Sequence, residues 1–302
     1  MRLIFAGTPD TAVPALEALL ASRHELVGVL TRADAPRGRG RRLEESPVSV
    51  RAAQEGLPVL KPHTLRDPGV QAQIAALGAE AAAVVAYGLL VPPPLLALYP
   101  WVNLHFSLLP RWRGAAPVQR AILAGDTETG ACAFLLEEGL DTGPVLASLT
   151  RPIGPRETAS EVLADLARTG ADLLVGAFDA LEDGSAVPLP QPATGVTLAP
   201  RLTTGEARVR WAAGPDAVGR HVRAFHPGAW SALATGQRVK IGPIEPGDVA
   251  LESGEVAVDG DVLVGTGTGS VRLGTVAPAG KSWMEARAWA RGLRGTVRFE
   301  DA

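Results

Sequence analysis

Short apolar runs alternate with amphipathic stretches from residue 2 to about 187, and this alternation limits the chain more than any other feature. Such a pattern builds βαβ units, so a mostly parallel, Rossmann-like sheet with helices on both faces is expected. Candidate strands are 3–6, 26–31, 82–86, 102–105 and 131–136. Between them, residues 11–21 put Val13, Leu16, Leu19 and Leu20 on one helical face, with Pro14 tolerated in the first turn. Residues 159–167 and 171–181 read as two further helices separated near Gly170, with Val162, Leu166, Leu174 and Phe178 facing inward.

The pattern stops at Val187-Pro188-Leu189-Pro190-Gln191-Pro192, whose prolines forbid helix and favour extended backbone. We read residues 1–187 as a catalytic domain, 188–203 as a linker and 204–302 as a second domain, and expect a fragment 1–190 to fold alone. In the second domain short β-rich segments recur between glycines, at 239–241, 256–258, 262–264 and 271–273. That spacing suggests a small OB-like β-barrel.

Composition excludes several classes. Of the 302 residues, 46% are hydrophobic and 20% charged, which rules out a mostly disordered chain. Residues 81–98 are too interrupted for a membrane helix, and the amino-terminal apolar stretch is too short for a signal peptide, so a cytoplasmic protein is expected. With one cysteine, Cys132, and five scattered histidines, no metal is expected. Two motifs are decoys. Pro9 in Gly7-Thr8-Pro9-Asp10 stands where a dinucleotide-binding turn needs glycine, and Gly280-Lys281-Ser282 lacks the glycine that opens a phosphate loop. Cys132, between Ala131 and Ala133, reads as core.

The chemistry concentrates in 102–114. On a strand Asn103 and His105 project to one face, and Val102, Leu104 and Phe106 to the other. A lone histidine on a strand is usually structural, but an amide beside an imidazole at a strand's carboxyl end suits a developing oxyanion and a moving proton. A second element, Glu137-Glu138-Gly139-Leu140-Asp141-Thr142-Gly143, follows another strand and can aim Asp141 at the same edge. A nearby carboxylate is expected to orient His105 and raise its pKa.

The run Asn103-x-His105-x-Ser107-Leu108-Leu109-Pro110-Arg111-Trp112-Arg113-Gly114-Ala115-Ala116-Pro117, together with Gly139-Leu140-Asp141-Thr142-Gly143, resembles the folate-dependent formyltransferases. Phe5–Asp10, Gly38-Arg39-Gly40, Val85–Leu89, Glu206-Ala207-Arg208, Arg223-Ala224-Phe225 and Pro278–Lys281 extend the likeness over nearly the whole chain, and point to members that act on a charged tRNA. Phe106 departs from the small residue usual in the family. The resemblance implies that 10-formyltetrahydrofolate gives its formyl group to the amine of methionine on initiator tRNA, releasing tetrahydrofolate. It implies Asn103, His105 and Asp141 as the catalytic residues. It further implies folate contacts along Ser107, Leu108, Leu109 and Pro110 and along Val85, Tyr87, Gly88 and Leu89.

Net charge is only −3, so any RNA contact needs a local basic patch. Arg37-Gly38-Arg39-Gly40-Arg41-Arg42 supplies one, its guanidinium forks suited to phosphate, and the resemblance implies that Arg39 reaches the acceptor end. Arg208, Arg223 and Lys281, with Arg220, Arg238, Lys240 and Arg272, offer a second surface. A monomer is expected. The alternatives are a formyltransferase for a small amine such as glycinamide ribonucleotide, or a non-catalytic RNA-binding module, which would have no use for the Asn103, His105 and Asp141 grouping.

Overall fold

Seven of the apolar runs assemble into one sheet in the computed structural model, which describes residues 1–37 and 42–301. The strands are β1 (Arg2–Gly7), β2 (Glu25–Leu30), β3 (Val59–Leu60), β4 (Ala81–Val85), β5 (Trp101–His105), β6 (Glu128–Leu135) and β7 (Val145–Pro152). Their spatial order is β7-β6-β5-β4-β1-β2-β3. All pairings from β3 to β5 are parallel, and β6 runs antiparallel to β5. Leu3, Ile4, Phe5 and Ala6 of β1 and the whole of β4 are buried, which is why both strands are written as unbroken apolar runs.

Leu16 and Leu19 of the helix Val13–Leu20 are fully buried, each contributing about 1.5–3 kcal/mol. Val162, Leu166, Leu174 and Phe178 are buried too, but on a single helix, Ala159–Glu182, and not on two. Gly170 does not break it. A Cβ there would stand 3.1 Å from the Leu104 side chain, so the glycine lets the helix settle onto β5. That close approach offsets the roughly 1 kcal/mol that glycine costs inside a helix.

Chain order explains where a ligand can enter. From β1 the chain passes to β2 and β3 on one side, then returns to β4 on the other. The carboxyl ends of β1 and β4 are therefore a topological switch point, where backbone leaves in opposite directions and opens a crevice. Thr8 Oγ1 spans it, donating to the Tyr87 carbonyl at 2.9 Å. Because Val84 pairs with Asn103, the segments after β4 and β5 leave the same edge side by side.

The chain divides into two compact units that interleave in sequence. One comprises Met1–Gly114, Thr129–Arg151 and Leu163–Leu198; the other comprises Ala115–Glu128, Pro152–Val162 and Ala199–Ala302. In the second unit the helix Pro117–Ala124 packs on the helix Pro215–Phe225. Its strands form two antiparallel sheets, one of Trp230–Ala232, Arg238–Ile241, Thr275–Pro278 and Met284–Glu285. The other holds Ile244–Gly247, Ser270–Leu273, Asp261–Gly265, Glu255–Asp259 and Val297–Arg298. Val239, Ile241, Val264 and Leu273 share one core with Trp211, whose ring stacks on Phe299 at 5.3 Å. This is the small antiparallel domain that the recurring β-rich segments predict. Gly280, at φ +78°, turns the chain between Thr275–Pro278 and Met284–Glu285, so the Gly-Lys-Ser motif sits in a β-turn and opens no helix.

Candidate active site

β5 presents Asn103 and His105 on one face, as alternation requires. Their cross-strand partners on β6 are Phe134 and Cys132. Cys132 is core, and burial pushes its thiol pKa up, away from nucleophile chemistry. His105 is only 6% exposed, with its ring edge-on to Phe134 at 6.3 Å. Its Nε2 lies 2.8 Å from the Trp112 carbonyl. A carbonyl can only accept, so Nε2 carries the hydrogen and the neutral ring keeps a bare Nδ1. Nδ1 faces Asp141 Oδ2 at 3.9 Å, too far for a direct hydrogen bond and near enough for strong charge interaction.

The net shift of His105 is downward, contrary to expectation. Burial lowers its pKa, and this outweighs the upward pull of Asp141 and of the Trp112 carbonyl. A carboxylate held 3.9 Å away stabilises the cation less than loss of water destabilises it. Burial therefore favours the neutral form of the His105 ring.

Asp141 arrives from the glycine-bracketed loop after β6. Oδ2 accepts the Gly114 N–H at 2.7 Å, which ties the carboxylate to the segment after β5. Trp112 and Asp141 both hold positive φ, 64° and 50°, and Ala86 at the end of β4 holds 47°. These are the non-glycine residues with positive φ among the described residues; Ala86 follows β4, and Trp112 and Asp141 lie at the two nitrogens of the His105 ring. Each such position costs of order 1–3 kcal/mol, so strain gathers where the polar groups converge. Asn103 is half-buried, and its amide bonds to no described protein group.

The implied folate segments flank this group. Ser107 is buried and its hydroxyl donates to the Arg111 carbonyl at 2.6 Å, while Arg111 N–H donates to the Leu108 carbonyl, closing a turn over Leu108, Leu109 and Pro110. Leu108 packs over Gly130, where a Cβ would fall 2.6 Å from its side chain. On the neighbouring edge Val85 is buried, Tyr87 is buried with an unpartnered hydroxyl, Gly88 holds φ +85° and Leu89 is half-buried.

The basic residues differ in freedom. Arg37 and Arg42 pair in a short antiparallel ribbon of Ala35–Arg37 and Arg42–Glu44; Arg39 and Arg41 lie outside the described residues. Arg208 bonds the Asp301 carbonyl at 2.9 Å and pairs with Glu300 at 3.3 Å. Arg223 is half-buried and donates to the Glu157 carbonyl at 3.0 Å. Lys281 is exposed, as are Arg238 and Lys240 on the outward face of their strand; Arg238 covers the Trp230 ring at 3.4 Å. One group that sequence scattering hides is His24, Asp179 and Glu182, whose ligand atoms fall within 4.8 Å of one another. Arg23 pairs with both carboxylates, at 2.5 Å and 3.0 Å, so a cation would have to displace a guanidinium.

Sequence reasoning missed the groups that hold the site together: the Trp112 carbonyl, the Gly114 N–H, and two side chains from the proline-rich stretch. Gln191 Nε2 donates to the Asp141 and Gly143 carbonyls, both at 2.8 Å. Thr197 Oγ1 accepts the Trp112 N–H at 2.8 Å. A polar Gln191 between Pro190 and Pro192 was the available signal.

A parallel sheet with an amide, an imidazole and a carboxylate at its carboxyl edge is the setting of an acyl-transfer enzyme. The family model for formyl transferases matches residues 1–178, and that for the formyl transferase C-terminal domain matches 201–294. The chain belongs to the formyl transferase family. Among its relatives, the methionyl-tRNA formyltransferase of Acidothermus cellulolyticus is 52% identical over 99% of this chain and 100% of that protein. That of Thermobifida fusca is 53% identical over 97% of each. Solved structures share the fold at lower identity. WlaRD, a sugar 3N-formyl transferase, has a TM-score of 0.68 at 14% identity, over 93% of this chain and 99% of that one. HypX from Aquifex aeolicus, solved with tetrahydrofolic acid, gives 0.65 at 18%, over 96% of this chain; the chain spans 46% of HypX.

Proposed function

We propose that this chain transfers the formyl group of 10-formyltetrahydrofolate to the α-amine of methionine on initiator tRNA, with Asn103, His105 and Asp141 as its catalytic residues. Half-identity along the full length to proteins named methionyl-tRNA formyltransferase supports the substrate, and His105 facing Asp141, with Asn103 two residues before it on the same strand, supports the mechanism. In this reading the amine attacks the formyl carbon, and the Asn103 amide donates to the oxygen as it gains charge. The amine's proton passes to the bare Nδ1 of His105, directly or through one water. The resulting imidazolium keeps Nε2–H on the Trp112 carbonyl and turns its new Nδ1–H toward Asp141. As the tetrahedral adduct collapses, Nδ1 returns the proton to the leaving folate nitrogen. Protons and electrons balance without a covalent enzyme intermediate.

Folate in this account lies in the switch-point crevice, along Val85, Tyr87, Gly88 and Leu89 and along Ser107, Leu108, Leu109 and Pro110. Support comes from the shared sheet edge and from the buried Tyr87 hydroxyl left without a protein partner. Arg37, Arg39, Arg41 and Arg42 meet the acceptor end of the RNA, and exposed Lys281 offers a backbone contact; Arg208 and Arg223 join them while bonded to the Asp301 and Glu157 carbonyls. The catalytic domain expected over 1–187 carries the chemistry and the arginine-rich loop at 37–42, and 204–302 carries the further RNA contacts. Charged tRNA and the folate pool put its work in the cytoplasm, and no helix among the described residues is long and apolar enough to cross a membrane.

The test is formyl transfer from 10-formyltetrahydrofolate with charged initiator tRNA and glycinamide ribonucleotide in competition. Label in methionyl-tRNA supports the reading; label in the ribonucleotide overturns it.

A further inference from the structure

Residues 189–197, read from their prolines as a linker, lie bonded along the candidate site. Leu189 exchanges backbone hydrogen bonds with Val145, at 2.8 and 2.9 Å, just past the Asp141 loop. Gln191 then uses its whole side chain. Its two N–H groups donate to the Asp141 and Gly143 carbonyls at 2.8 Å, and its Oε1 accepts from Arg113 Nε at 3.1 Å and Nη2 at 2.6 Å. Six residues on, Thr197 Oγ1 accepts the Trp112 N–H at 2.8 Å, and the Thr197 carbonyl accepts the Arg113 N–H at 2.9 Å.

The two residues so held have positive φ: Trp112, whose carbonyl fixes Nε2 of His105, and Asp141, whose carboxylate faces Nδ1. Left-handed backbone at a tryptophan and an aspartate persists only where neighbouring bonds over-determine it. Gln191 and Thr197 supply those bonds from the two sides of a bend at residues 193–195, where Gly195 holds φ +79°. Their hydrogen bonds go to the Trp112 N–H, the Asp141 and Gly143 carbonyls and Arg113, not to the His105 ring or the Asp141 carboxylate, so they act through the groups they hold.

We propose that Gln191 and Thr197 are positioning residues for the formyl-transfer step, clamping the Asp141 loop and the Trp112 carbonyl onto opposite nitrogens of His105. The inference rests on the assignment of Asn103, His105 and Asp141 made above. It also changes the meaning of the proline-rich stretch: a fragment ending at residue 190 lacks both clamps.

The experiment uses the full chain, 10-formyltetrahydrofolate and charged initiator tRNA. Gln191→Ala and Thr197→Val are each expected to lower kcat about ten- to a hundredfold, the scale of a small misplacement, with KM for the folate held within about twofold. Thr197→Ser keeps the acceptor oxygen and is expected to restore kcat. Gln191→Glu keeps the acceptor for Arg113 but loses the donors to the loop, and is expected to be as slow as Gln191→Ala. A double-mutant cycle separates this inference from the site assignment: in an Asp141→Ala background, Gln191→Ala is expected to cost little further. Near-normal kcat in both Gln191→Ala and Thr197→Val, beside a slow Asp141→Ala, overturns the clamp and leaves the catalytic assignment standing. Near-normal kcat in Asp141→Ala overturns both. A slow Thr197→Ser also counts against the clamp, since it retains the bond.

Discussion

Truncating Asn103 separates catalysis from stability more cleanly than any other change at this site. The side chain stands on β5 two residues before His105, so the two Cα atoms are about 6.6 Å apart and both side chains leave one face. Its amide bonds to no described protein group, and Asn103→Ala therefore strands no buried partner. The expected stability cost is that of a half-buried polar residue, about 0.5 kcal/mol, or a melting shift of about 1–2 °C. In the transition state the same amide is asked for an oxyanion donor's worth, about 2.7–4 kcal/mol, so kcat should fall about 10²- to 10³-fold. Because that bond strengthens only as charge develops, kcat and kcat/KM should fall together. The assay is single-turnover formyl transfer at saturating folate, with thermal melting on the same preparations. A kcat within about tenfold of wild type would refute the oxyanion role, as would a loss traced to a comparable collapse in stability.

His105 should titrate by NMR below its ordinary 6.5, because burial dominates, and Asp141→Asn should lower the midpoint further by removing the charge that favours the cation. The sign follows for stability: with the folded pKa depressed, the contribution is complete above about 6.5 and is lost as pH falls through the folded value. The acid limb of kcat/KM should likewise lie below pH 6.5; a midpoint above it contradicts the neutral base. Gly143→Ala would put a Cβ 1.8 Å from the Leu135 carbonyl oxygen, so it should cost about 1–3 kcal/mol and displace the Asp141 loop; unchanged melting and activity would speak against that packing. Arg39→Ala should raise KM for charged tRNA and leave that for folate unchanged, and equal losses in both would argue against a phosphate-facing loop.

Much of this site is written in local patterns. Strand alternation sets the shared face of Asn103 and His105, and the glycines around Asp141 mark a loop able to turn back on the sheet. What escaped are facts that live between distant segments. No propensity shows that Gly170 lies over Leu104 and so continues a helix instead of ending it. The downward pKa shift of His105 is not legible in the sequence, because a charge partner is visible there while the depth of burial is not. Pro188, Pro190 and Pro192 announce extended backbone correctly, but extended backbone serves equally as tether or as clamp. The bonds of Gln191 and Thr197 decide for the clamp, and those depend on where residues 112 and 141 fold.

The most direct test of the account is a structure of this chain with a formyl-donor analogue that cannot transfer its group. The formyl oxygen should lie about 2.7–3.1 Å from the Asn103 amide nitrogen, with the formyl carbon on the His105 Nδ1 side. An analogue bound with that oxygen turned away from β5, or outside the crevice at the ends of β1 and β4, would contradict it.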